Sequence, residues 1–162
     1  MAVDMFLELT SIVGETKDKE FKPKNAMDVL AWNWGMSNSG NAHVGGGAGA
    51  GKVNVNDLSI TKYMDKASAI LMSHVCTGKH FATAKLSIRK AGDKPLVYYT
   101  VTMTDVLITS LTTGGSGGED RFTENLSLNF AKFNVDYFPQ KQDGTLDAVI
   151  PMNYDIQASS KT

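Results

Sequence analysis

The sequence predicts a mainly β protein: an antiparallel β-barrel of two sheets with one flanking α-helix and long glycine-rich loops. Three observations predict it. Apolar and polar residues alternate with period 2 through most of the chain, the signature of half-buried strands. Helical spacing appears over 65–77 and interrupts that pattern. Glycine-rich segments at 40–51 and 114–118 are each followed by an alternating run, Val53-Asn54-Val55-Asn56 and 122–130.

In chain order, Met5-Phe6-Leu7 begins a short strand, and a polar, lysine-rich loop follows over 14–25. Leu30, Trp32, Trp34 and Met36 then point one way, with Ala31, Asn33, Gly35 and Ser37 opposite. After the first glycine loop a strand runs over 53–63. Asp65 is a helix N-cap, Ala67, Ile70, Leu71, His74 and Val75 keep helical spacing, and Gly78 supplies the stop. The other face carries Ala69, Met72 and Cys76, so this helix is apolar nearly all round and suits a barrel end or a neighbouring chain. Ala84, Leu86 and Ile88 mark the next strand. Val97, Tyr99, Val101 and Met103 mark another, whose apolar phase slips at Asp105. A similar slip separates Leu126, Leu128 and Phe130 from Phe133, Val135 and Tyr137. A one-residue phase change flips every later side chain unless the strand bends or bulges. Two slips fit strands turning barrel corners; a long strand crossing between two sheets of a sandwich would show them too. Residues 139–144 read as a turn, 149–156 as the last strand, and 158–162 as a flexible, frayed tail after one domain over 1–157.

Composition sets limits. The 162 residues make one domain, enough to bury roughly two thirds of the unfolded surface without staples. The net charge of −1 gives no electrostatic reason to bind nucleic acid or an anionic membrane, and permits self-association. Cys76 is the single cysteine, so no internal disulfide forms, which fits a reducing compartment. Residues 1–9 lack a basic n-region and predict no secretory signal peptide. No apolar run approaches the ~20 residues that span a bilayer.

Two motifs imitate catalytic ones. The run 46–52, ending in Gly51-Lys52, resembles a phosphate-binding P-loop, and Gly114-Gly115-Ser116-Gly117-Gly118 resembles a nucleophile elbow. Both motifs need a helix immediately afterwards, whose N-terminal N–H groups meet the anion. Here strands follow; Val53 stands where a Ser/Thr should bind magnesium, and no histidine follows His80 to serve Ser116 as base. His43, His74 and His80 lack metal-ligand spacing. No catalytic residue, metal site or cofactor is predicted. Trp32 and Trp34 could form a sugar platform, but their alternation favours core or interface packing. Polar faces (Asn54 and Asn56; Tyr98, Thr100, Thr102 and Thr104; Thr123, Asn125, Ser127 and Asn129) suit a solvated sheet or a channel lining.

Several blocks resemble the Hcp family, the haemolysin-coregulated tube proteins of bacterial type VI secretion. They are the opening residues 1–6, Asp28-Val29-Leu30-Ala31-Trp32-Asn33-Trp34-Gly35-Met36-Ser37, Gly49-Ala50-Gly51-Lys52-Val53-Asn54-Val55, 59–66, 79–92 and 113–125. The resemblance runs to about residue 145, with no further C-terminal domain expected. It implies a β-barrel with a flanking helix, six copies of which close into a ring. Rings would stack into a tube that a contractile sheath propels outward behind a spike, so the protein would be cytoplasmic before firing and then secreted. By the same resemblance, the loop holding His43, Gly47, Gly49, Gly51 and Lys52 would reach neighbouring subunits or rings. Thr113, Gly115, Ser116 and Gly117 would line the channel and touch effector cargo. Trp32, Trp34 and His74 are candidates for the subunit interface. The other function left open is a monomeric β-barrel that binds a small ligand or glycan.

Overall fold

The computed structural model describes residues 3–40 and 51–162. Strands β1 (Val3–Leu9), β2 (Met27–Asp28), β3 (Ala31–Asn33), β4 (Met36–Asn38), β5 (Val53–Val55) and β6 (Leu58–Tyr63) lead to helix α1 (Ser68–Thr77). They are followed by β7 (Phe81–Lys90), β8 (Val97–Gly114), β9 (Thr123–Tyr137), β10 (Ile150–Asp155) and β11 (Ser160–Lys161). Neighbours run β2–β1–β7–β8–β9, all antiparallel. One half of β9 pairs with β10, and the other pairs with β6, which in turn pairs with β3.

The sheet closes through a single stretch of backbone. The Val29 N–H donates to the Met5 carbonyl at 2.9 Å, and the Leu30 N–H donates to the Thr61 carbonyl at 2.8 Å. Hydrogen bonding thus passes from β1 to β6 between adjacent residues, and the circuit β1–β7–β8–β9–β6–β3 returns to β1 through β2. This is the barrel that the alternation predicted, and closure removes two sheet edges that would otherwise be open to pairing. Its interior holds Leu7, Leu86, Val101, Met103, Val106, Leu126 and Leu128. Helix α1 packs against β8 and sends Leu71 into that core.

The two phase slips turn out to be one corner. In β8 the buried positions pass from Met103 to Val106, in β9 from Phe130 to Phe133, and in β7 from Phe81 to Ala84. These changes lie opposite one another: Thr104 pairs with Lys132 and with Thr83, and Val106 pairs with Phe130 and with Phe81. Register does not shift there, so three strands bend together. Asp105 makes the turn with φ +55°, a left-handed conformation that Asp tolerates better than most residues. A separate bulge leaves Thr109 without a partner between Ile108 and Ser110.

Four regions differ from the alternating pattern. The run 30–36 is two strands in different sheets, since β3 joins the barrel and β4 pairs with β5 alone. Leu30 and Met36 are consequently exposed, while Trp32 and Trp34 pack on the core. The lysine-rich loop is anchored on the outer barrel face by Phe21, which stacks on Phe6 at 4.0 Å. That cover buries Ser87, Arg89 and Thr100, so Thr100 does not belong to a solvated face. Helix α1 proper begins at Ser68, later than an N-cap at Asp65 implies, but Asp65 still starts the hydrogen-bonded turn before it: its carbonyl accepts the Ser68 N–H at 3.0 Å, its carboxylate accepts the Ala67 N–H at 2.9 Å, and its own N–H donates to Ser68 Oγ at 3.0 Å. Gly78 ends the helix at φ +67° as expected. Finally, the expected frayed tail returns as β11 on β10, helped by Asp155, whose carboxylate accepts the Ala158 N–H at 3.0 Å.

Candidate functional site

Both glycine loops lead into strands, Lys52 into β5 and the 114–118 turn into β9, so neither supplies the helix N-terminus that its catalytic namesake requires. Among the described residues no three His, Cys, Asp or Glu side chains gather at metal-binding distance. What the fold presents instead is two projecting hairpins and an exposed helix face.

The first projection is the arm formed by β4 and β5, whose two strands flank the glycine-rich segment in sequence. His43, Gly47 and Gly49 lie outside the described residues. Gly51 sits where a Cβ would fall 2.4 Å from the Ser39 carbonyl oxygen, so the close backbone approach that glycine permits here is within the chain. Lys52 is exposed beside it. At the base of the arm, the Trp34 indole N–H donates to the Asn56 carbonyl at 2.9 Å, and the Asn56 N–H donates to the Gly35 carbonyl at 3.0 Å. The Trp34 ring stands edge-on to Phe133 and Phe130 at 4.9 and 5.9 Å. Trp32 stacks on Tyr99 at 5.7 Å. Both tryptophans are therefore engaged by their own barrel. Between the arm and β10 lies an apolar groove of about 560 Å³ lined by Met36, Val53, Val55, Phe133, Met152 and Tyr154.

The second projection is the β8–β9 hairpin. Thr113, Gly115, Ser116 and Gly117 are all exposed at its end, and the Glu119 N–H closes the turn on the Ser116 carbonyl at 3.2 Å. Gly115 lies close under its neighbour, and a Cβ there would fall 2.1 Å from the Phe122 ring. Phe122 remains 56% exposed. Beside it Arg121 lies over the Tyr63 ring at 4.1 Å.

Alternation marks the outer face of β9 as polar, and by the same parity it places Glu124 inside with Leu126 and Leu128. The structure buries Glu124 fully, opposite Lys62, which is also fully buried. The Lys62 ammonium pairs with Glu124 and with Asp65 at 3.1 Å, and donates to the Tyr63 carbonyl at 2.8 Å. Ser68 Oγ donates to Glu124 at 2.9 Å, which ties the start of α1 to β6 and β9. His74 faces inward from the same helix, stacked on Phe81 at 4.4 Å with Nδ1 2.8 Å from the Ile70 carbonyl. Ile70, Met72 and Cys76 face outward.

These elements, a closed barrel with an arm, a long hairpin and a side helix, have close counterparts. The family profile described as "Type VI secretion system effector, Hcp" matches residues 6–137. This chain belongs to the Hcp family. Protein hcp1 of Pseudomonas aeruginosa is 57% identical over 148 residues, covering 91% of this chain and 90% of that protein. Hcp1 of Salmonella typhimurium has a structure that superposes with a TM-score of 0.81 at 33% identity, covering 100% of both chains. A structure described as that of a type six secretion system protein reaches 0.91 at 31% identity, covering 99% of this chain and 100% of its own. Within this Hcp fold, the sequence-predicted residues fall into three groups. Thr113, Gly115, Ser116 and Gly117 come together at the hairpin end; Gly51 and Lys52 lie at the arm; Trp32, Trp34 and His74 are spread along the barrel wall. The buried Lys62–Glu124 pair and exposed Phe122 were not singled out by sequence reasoning.

Proposed function

We propose that this Hcp protein is the structural subunit of the type VI secretion inner tube. Six copies close into a ring, rings stack into a tube, and the tube is secreted with effectors held in its lumen. The near-complete match to Protein hcp1, spanning nine tenths of both chains, is the observation that carries this reading. The architecture supports it: projecting hairpins and an exposed helix face give one subunit distinct surfaces for a heterologous contact that closes laterally and another that repeats axially. The arm serves contacts between subunits and rings. The 113–118 turn faces the bore and touches cargo; spike and sheath meet the assembled tube. No step of this function calls for catalysis.

Light scattering joined to electron microscopy tests the assembly. The expected result is a particle of six subunit masses that appears as annuli; a single-subunit mass at every concentration, with lone globules in the images, overturns it. Cargo contact is tested by Ser116→Gln in cells co-expressing an effector. Rings should persist while retained effector falls several-fold, and unchanged retention removes Ser116 from the cargo surface.

A further inference from the structure

The arm shares no strand ladder with the barrel among the described residues, so something else must set its angle. One anchor is apolar, the Trp34 ring against Phe130 and Phe133 together with Val55 of β5 on the barrel core. The other is a single carboxylate. Asp57 lies in the short link between β5 and β6; its Oδ2 accepts the Thr109 hydroxyl at 2.6 Å, and its Oδ1 accepts the Asn129 amide at 2.8 Å. Thr109 is the bulged residue of β8, with the Ser127 carbonyl 3.2 Å from its hydroxyl. Asn129 belongs to β9. One side chain thus ties the end of the arm to two barrel strands at the place where their own pairing is interrupted.

We infer that Asp57 is a positioning residue for assembly: by clamping the arm base to the Thr109 bulge and Asn129, it holds the arm at the angle at which a second copy of this chain engages it. The inference rests on the arm being an assembly element. Its physical content is preorganisation. A hinged arm must be ordered at each contact, and that ordering is subtracted from the binding free energy. Hydrogen bonds to an ionised carboxylate are stronger than neutral ones. Because this one sits at the surface and outside the core, its loss should free the arm and leave the barrel folded.

The test uses the full chain and three variants, Asp57→Ala, Asp57→Asn and Thr109→Val. Asp57→Asn retains both contacts, its amide donating to the Thr109 hydroxyl and its carbonyl accepting from Asn129. Amide exchange in β4 and β5, measured in dilute, unassembled protein, should quicken about tenfold in Asp57→Ala. It should quicken less in Thr109→Val, and least in Asp57→Asn, which keeps both contacts as weaker neutral hydrogen bonds. The concentration at half assembly should rise about tenfold in Asp57→Ala and recover in Asp57→Asn, with the melting temperature little changed in all three. A loosened arm with wild-type assembly overturns the inference, as does an arm unmoved by Asp57→Ala. If wild-type protein never assembles, the tube reading fails, and arm exchange still decides whether Asp57 is the clamp.

Discussion

Arg89 shows how one side chain holds an irregular loop. It is nearly buried, donates to Asp4 at 2.9 Å and to Asp18 at 2.5 Å, and reaches Glu20 at 3.4 Å. Its guanidinium lies 5.1 Å from the centre of the Phe6 ring and 5.5 Å from that of Phe21. The hydrogen bond from Arg89 is the main cause that holds the Asp18 carboxyl below its ordinary value, with backbone N–H groups of Glu20 and Phe21 adding to it. A carboxyl lowered in the folded state contributes stability that is complete above the ordinary aspartate range and is lost as pH falls through the lowered value. Arg89→Ala should therefore cost about 1–2 kcal/mol at neutral pH, since it leaves three partly exposed acids without their shared partner, and that cost should shrink on acidification below the usual carboxylate range. Urea unfolding at neutral and acid pH checks both; a deficit that does not change with pH would mean that Arg89 works through packing alone. The Lys62–Glu124 pair follows a different rule, because both charges are fully buried. Lys62→Met alone should cost about 3–5 kcal/mol by stranding Glu124, whereas joining it with Glu124→Leu should restore most of that loss. Equal losses in the single and double variants would show that the polar network, and not the stranded charge, is what matters.

At the scale of elements, two glycines that look alike in sequence do different work. A Cβ at Gly14 would lie 2.2 Å from the Ala26 carbonyl oxygen, and at Gly115 it would lie 2.1 Å from a ring atom of Phe122. The first neighbour is fixed backbone, and the second is an exposed ring free to swing aside. Gly14→Ala should cost about 1–3 kcal/mol, as overpacking does; Gly115→Ala should leave stability nearly unchanged while moving Phe122. Thermal melts separate them, and equal costs would mean that the Phe122 ring is held as firmly as backbone. The same contrast explains what was legible beforehand. Alternation disclosed the strands, and each phase slip was visible at Asp105 and after Phe130. That the two slips face each other across a register, and that β7 bends with them, is a pairing fact no single strand contains. Glu124 and Lys62 went unmarked, because a charge at an inward-facing position carries no sign of its partner until two strands are paired. The division of 30–36 between two sheets was hidden because Trp32 and Trp34 keep period 2 across the break. The docking of the lysine-rich loop was hidden because one phenylalanine and one arginine do it. Of the site, the hairpin end could be read from its glycines, whereas the anchoring of the arm through Asp57 and Thr109 depends on a bulge that only the neighbouring strand defines.

For the molecule as a whole, closure is the decisive feature, and it is made by non-local contacts. β1 pairs with β7 some eighty residues later, Asp4 opposite Arg89 and Leu9 opposite Ala84, and β3 pairs with β6 across the arm. Folds dominated by such pairings fold slowly, because loop closure must precede the contacts that stabilise it. The Leu30 N–H bond to Thr61 is where the circuit joins, and Leu30 itself is largely exposed, so its side chain adds little to the core. Leu30→Pro removes that donor and tests the joint directly. Amide protection should fall along β1, β3 and β6, the strands meeting at the joint, while β7, β8 and the middle of β9 keep theirs, since those three are paired to one another independently of it. Hydrogen exchange of the full chain, read strand by strand, distinguishes the outcomes. Uniform loss of protection would show that the barrel opens only as one unit, and unchanged protection of β1 and β6 would show that the sheet is held shut by core packing, with the backbone hand-over a consequence of it.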